Sequence, residues 1–112
     1  MKKNKQNADH YIWGDNCDGW RLVQTEGLSI IHERMPAGTS EVRHYHHKAR
    51  QFFFVLSGCL TLEMDGDLYE LSPQEGLEIP PLAQHRVMNR SDAETEFLVI
   101  SQPASRGDRV TV

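Results

Sequence analysis

The sequence predicts an all-β fold, a sandwich or barrel of eight or nine short strands. Turn signals recur roughly every eight to twelve residues, among them Pro36-Ala37-Gly38, Asp65-Gly66 and Ser72-Pro73-Gln74-Glu75-Gly76. The segments between them are enriched in β-branched and aromatic residues, which suit a pleated, half-buried surface. No stretch sustains a 3.6-residue apolar period for three turns, so amphipathic helices are not expected.

Taken in order, residues 11–24 hold Tyr11, Ile12 and Trp13, a loop of Gly, Asp, Asn and Cys, then the short strand WRLVQT. LSIIHERM, residues 28–35, is β-branched in its middle and stops at the Pro36 turn. VRHYHH, 42–47, is the next strand, and after a polar turn QFFFVLS, 51–57, runs to Gly58. CLTLEM, 59–64, meets Asp65-Gly66, a strong two-residue hairpin signal, and DLYEL, 67–71, returns. LEI leads to Pro80-Pro81, HRVMN follows at 85–89, and TEFLVIS, 95–101, is the last strand expected; from Pro103 the chain reads as irregular.

At 112 residues there is room for one domain and one moderate core. Residues 1–10 read as a flexible tail, 11–105 as the barrel domain and 106–112 as a second tail. The formal net charge of -4 argues against nucleic acid or an anionic membrane surface as partner, since either calls for a basic patch. No apolar run approaches a membrane span, and the basic start MKKNKQ has no apolar segment behind it, so the expected compartment is the cytoplasm. There, Cys17 and Cys59 are expected as free thiols. Asn89-Arg90-Ser91 and Arg106-Gly107-Asp108 match extracellular motifs for which nothing else in the sequence provides the context.

The informative stretch is GTSEVRHYHHKARQFFFVLSG, residues 38–58. In a strand i and i+2 share a face, so His44 and His46 offer two imidazoles to one point. By the same parity Val42 points inward with them, whereas Arg43, Tyr45 and His47 face out. Gln51, Phe53 and Val55 line the interior, which leaves Phe52, Phe54 and Leu56 on the other face. Three large apolar residues on an outer face imply a covering partner, and a homodimer is expected. His85 is a third imidazole. Three imidazoles with an amide oxygen suit a divalent transition metal. The competing interpretation is a pair of polar strand residues, solvated or hydrogen-bonded in the core.

These residues resemble the two motifs of the cupin family. Gly38, residues 39–43, His44, Tyr45, His46, residues 47–50, Gln51, residues 52–57 and Gly58 keep the spacing of the first. Pro80, Pro81, Leu82, Ala83, Gln84, His85, residues 86–88 and Asn89 keep that of the second. The resemblance spans about residues 28–101 and implies a jelly-roll β-barrel with one metal in its mouth, often in a homodimer. It carries His44, His46 and His85 over as ligands of a divalent transition metal (Zn, Fe, Ni, Mn or Cu), with Gln51 as a fourth; the alternative for Gln51 is a hydrogen bond to a bound water. Gln51 stands where the family usually has glutamate, Leu82 where it has a turn glycine, and Gln74 where a glycine opens the second motif. The last two imply a rearranged turn near the site.

Exchanging carboxylate for amide removes one negative charge beside the cation and favours an anionic extra ligand. A small polar, even anionic, molecule is therefore the expected partner. His32 reads as a packed strand residue, Trp13 and Trp20 as packing or edge-covering residues, and Asn89 as a support for the loop after His85. Glu33 and Arg34 lie on a strand whose inward face the sequence does not choose, and no residue declares itself as a base. Two enzyme classes fit, a metal-dependent dioxygenase and an isomerase or lyase working by carbonyl polarisation. The alternative is a non-catalytic module that binds or senses a sugar or metabolite; the lack of DNA-binding helices weakens its regulator form.

Overall fold

A computed structural model describes all 112 residues as two facing β-sheets without a helix, the all-β jelly roll expected. The strands are β1 (Asp9–Trp13), β2 (Cys17–Gln24), β3 (Ser29–Met35), β4 (His44–His46), β5 (Arg50–Ser57), β6 (Leu60–Met64), β7 (Asp67–Leu71), β8 (Gly76–Ile79), β9 (His85–Met88), β10 (Thr95–Gln102) and β11 (Arg109–Thr111). One sheet runs β1-β2-β3-β10-β5-β8 and the other β11-β4-β9-β6-β7. Every named pairing is antiparallel.

Alternation decides which face each strand buries. Gln51, Phe53 and Val55 on β5 are buried, as are Thr95, Phe97, Val99 and Ser101 on β10. With Met35, Leu60, Leu62, Ile79 and Val87 the apolar members form one core cluster between the sheets. Phe53 belongs to this core and also lies 6.2 Å, centroid to centroid, from His85, so the core forms the floor under the histidines.

Several turns behave as read. Asp65 and Gly66 both take positive φ, 50° and 90°, as a two-residue hairpin turn demands. Gly58 has φ 78°, and a Cβ there would stand 2.5 Å from the Glu94 carbonyl oxygen, so this position admits glycine alone. The expected rearrangement around Gln74 and Leu82 does not occur. Both residues adopt the left-handed conformation of the missing glycines, φ 70° and 72°, and the backbone N–H of Leu82 still donates to His46 O at 2.8 Å. Hydrogen bonds at the loop ends hold geometry that the side chains disfavour.

The ends of the chain are more ordered than the sequence implies. Asp9 and His10 already pair with Arg21 and Trp20, and β11 pairs with β4. Asp108 fastens this last segment by accepting the backbone N–H groups of His47, Lys48 and Ala49 at 3.0, 2.9 and 2.9 Å. Val42 is not inward. It is 57% exposed because β4 begins only at His44, and the preceding loop runs through an isolated bridge at Ser40 instead of a continuous strand.

Candidate metal centre

His44 and His46 leave the same face of β4, and β9 sets His85 directly opposite His44. Ring centroids are separated by 4.4 Å (His44–His85), 5.0 Å (His44–His46) and 5.6 Å (His46–His85). One ligand atom from each residue lies within 4.8 Å of the other two, and all three residues are buried. β5, from the opposite sheet, places the Gln51 Oε1 3.0 Å from His85 Nε2. The four residues expected from the sequence therefore meet between the sheets.

Hydrogen bonds orient the set. His44 Nδ1 lies 2.9 Å from the Val42 carbonyl oxygen and His85 Nδ1 2.9 Å from that of Ala83. A carbonyl only accepts, so each Nδ1 carries the ring proton and each Nε2 presents a lone pair. Gln51 Nε2 donates to Ser101 Oγ at 3.0 Å, which turns its Oε1 toward the cluster. His85 Nε2 and Gln51 Oε1 then face each other as two acceptors, an arrangement that a shared cation resolves. Burial, reinforced by the neighbouring imidazoles, holds the pKa of His44 down at about 3 and that of His46 at about 4. Burial lowers His85 as well.

Both ring nitrogens of His46 are buried without a hydrogen-bond partner. Buried polar atoms are rarely left so, because each costs the desolvation it does not recover. Three neutral imidazoles, an amide oxygen and these orphaned nitrogens fit a divalent transition metal, and the three histidines could hold one.

A cavity of about 290 Å³ opens beside the cluster. Its wall includes Glu33 and Glu41, two carboxyl groups the sequence did not single out as paired here. β3 turns Glu33 inward, while Arg34 faces out to Asp18 Oδ2 at 2.8 Å and Glu94 Oε2 at 2.7 Å. Burial, and then the charge of Glu41, push the Glu33 pKa up to about 8 against a hydrogen bond from Tyr11 and the charge of Arg109. Burial likewise raises Glu41 to about 7, although its Oε1 accepts the Val87 N–H at 3.0 Å. Arg109 lines the cavity from β11.

The remaining candidates sort by face. Trp13 lines the cavity, whereas Trp20 packs between the rings of His10 and His32. His32 Nε2 meets Glu96 Oε1 at 2.7 Å, outside the cluster, and Tyr45 stacks edge-on with His47. Buried Asn89 donates to the carbonyls of Met35, Pro36 and Ala93 at 3.0, 3.2 and 2.8 Å, tying the loop after β9 to the end of β3.

Comparison with known proteins places this geometry. The chain is 32% identical over 77 residues, 69% of its length, to the polyketide synthase CurC of Streptomyces cyaneus, of which the match covers 47%. The chain spans about half the length of the curated relatives it matches. Among solved structures it superposes on the polyketide cyclase RemF of Streptomyces resistomycificus with a TM-score of 0.85 and 18% identity, covering 100% of this chain and 85% of RemF. A sugar phosphate isomerase of the cupin superfamily from Silicibacter pomeroyi gives 0.81 at 24% identity, covering 93% and 76%. Residues 31–101, the span that contains both histidine-bearing segments, match the cupin domain, and the chain belongs to the cupin family.

Proposed function

We propose that this chain is a metal-dependent isomerase or lyase acting on a small polar carbonyl compound, with the metal held by His44, His46 and His85 and with Gln51 as fourth ligand through Oε1. The observation that carries this reading is the convergence of three imidazoles, one with both nitrogens unpaired, of which His44 and His46 line a cavity of about 290 Å³. A divalent transition metal supplies Lewis-acid polarisation of a carbonyl oxygen when bound. The chain's own residues supply the remainder. Gln51 is neutral and leaves the cation's charge undiminished, which favours an anionic ligand. Arg109 adds a positive group at the same cavity, and Phe53 closes its floor with apolar surface.

Proton-transfer chemistry is favoured over dioxygenation because the cavity holds carboxyl groups with pKa values of about 7 and 8, suited to moving protons near neutrality. Two similar structures are named as an isomerase and a cyclase, which supports the same class. Tag-free protein reconstituted with zinc, manganese, iron, nickel or copper is to be screened against sugar phosphates and 2-oxo acids by NMR and an oxygen electrode. The reading predicts product formation without oxygen uptake; uptake matching substrate loss assigns a dioxygenase instead.

We further propose a homodimer through the outer face of the six-stranded sheet. Phe52 is 39% exposed there, and in register Phe52 and Phe54 flank Ile100 and Leu98 of β10. Sedimentation is expected to show a dimer that Phe52→Glu converts to monomer; a monomeric wild-type chain overturns this.

A further inference from the structure

We propose that Glu33 is the proton-transferring residue of the cavity, oriented by Tyr11, and that the substrate is a small 2-oxo acid whose carboxylate is received by Arg109. The inference rests on the metal-dependent reading above and adds the residue, its positioning device and the substrate class.

The device is a row of three residues across three strands. Tyr11 on β1 is registered with Gly19 on β2, which is registered with Glu33 on β3. A Cβ at Gly19 would stand 2.2 Å from the Tyr11 ring, so the ring occupies the space that a side chain would take. Tyr11 thereby reaches across β2, and its hydroxyl donates to Glu33 Oε2 at 3.3 Å. The Arg21 guanidinium lies 4.1 Å from the ring centroid and holds the ring in place.

Glu33 has no evident structural duty. Glu63, Glu78, Glu94 and Glu96 each pair with a cation, and Glu41 is tied to a backbone N–H. Glu33 has the tyrosine hydroxyl alone, and it lines the same cavity as His44, His46 and Gln51. A half-buried carboxyl without a cation is costly, and such groups concentrate where a proton must move. Its charged and titratable neighbours in the cavity are Tyr11, Glu41, His44, His46, Arg106 and Arg109. Of the two guanidinium groups, Arg109 is the one whose charge acts on both Glu33 and Glu41. An exposed guanidinium at the edge of a mostly neutral site suits the carboxylate of a small acid.

The step balances without an oxidant or reductant. The Glu33 carboxylate takes a proton from the carbon beside the substrate carbonyl, and the C–H electron pair becomes the enolate double bond as the carbonyl pair moves onto oxygen. Protonated Glu33 then returns the proton to either end of the enolate, which gives exchange or isomerisation.

The test uses zinc-loaded wild type, Glu33→Gln, Tyr11→Phe and Gly19→Ala, with zinc content measured on every sample. Oxalate serves as a planar dianion resembling the enolate, titrated calorimetrically in buffers of different ionisation enthalpy; pyruvate in D₂O reports methyl exchange by NMR. Wild type is expected to take up a proton on binding oxalate at about pH 9, above the Glu33 pKa of about 8, and to exchange pyruvate. Glu33→Gln is expected to bind zinc and oxalate with that proton uptake reduced, leaving only what Glu41 contributes, and to exchange at least about 100-fold more slowly. Tyr11→Phe and Gly19→Ala lose a hydrogen bond that favours the carboxylate, so the acid limb of their exchange profile moves to higher pH. Unchanged uptake or exchange in Glu33→Gln, or no exchange by wild type, overturns the inference. Absence of zinc from wild type overturns the metal reading itself.

Discussion

Replacing His46 with leucine is expected to stabilise the protein without metal and destabilise it relative to wild type with metal. The two ring nitrogens of His46 are buried and unpaired, and the residue is 5% exposed. Leucine has similar volume and no polar atom, so the substitution removes an unrecovered desolvation cost of about 1–3 kcal/mol. For a domain of this size that raises the midpoint by roughly 4–13 °C. With metal at about 1,000 times its dissociation constant, wild type gains about 4.1 kcal/mol by mass action. The variant, short of a ligand, gains far less, and the order of stability inverts. Calorimetric scans in chelator and in metal, on both proteins, read the crossing directly. A variant that melts below wild type in chelator, or that gains as much from metal, refutes the reasoning.

Gln51→Glu restores a carboxylate beside the cluster and is expected to tighten metal binding at least about tenfold, read by competition with a chelating dye. Leu82→Gly removes the conformational penalty of φ 72° at a residue 61% exposed, and is expected to add about 0.5–1 kcal/mol to the unfolding free energy read from urea melts. The metal-free protein should show a stability dome in pH. Glu33 and Glu41 have folded pKa values of about 8 and 7, above the ordinary 4.5, so stability falls as pH rises from 4.5 toward 8. His44 and His46 sit at about 3 and 4, below 6.5, so stability also falls as pH drops from 6.5 toward 3. The maximum is expected between, at roughly pH 5–6.5, and Glu33→Gln flattens the alkaline limb; a monotonic profile in urea melts contradicts this.

The parity of β4 and β5 was legible because both strands alternate cleanly, and that was enough to bring His44, His46 and Gln51 to one side. His85 came through motif spacing, since no local pattern links β9 to β4. What stayed hidden has physical reasons. SIIHERM carries apolar side chains on both faces at Ile30 and Ile31, so nothing local turned Glu33 inward, and its partner Tyr11 lies beyond a glycine on another strand. β11 has three residues with one apolar side chain among them, and no motif ties it to β4, yet it contributes Arg109. Val42 failed because parity assumes a continuous strand, and this one starts two residues later. The turns at Gln74 and Leu82 failed for the opposite reason: backbone hydrogen bonds imposed a conformation that residue type argues against.

His44, His46 and His85 are expected to ligate one divalent metal together. The most direct measurement is elemental analysis with X-ray absorption spectroscopy on tag-free protein, wild type beside His44→Ala, His46→Ala and His85→Ala. The account predicts one metal per chain with three imidazole nitrogens at about 2.0–2.1 Å if zinc is bound, and loss of the metal from each variant. No metal after incubation with zinc, manganese, iron, nickel or copper, or retention of it in any of the three variants, contradicts the account.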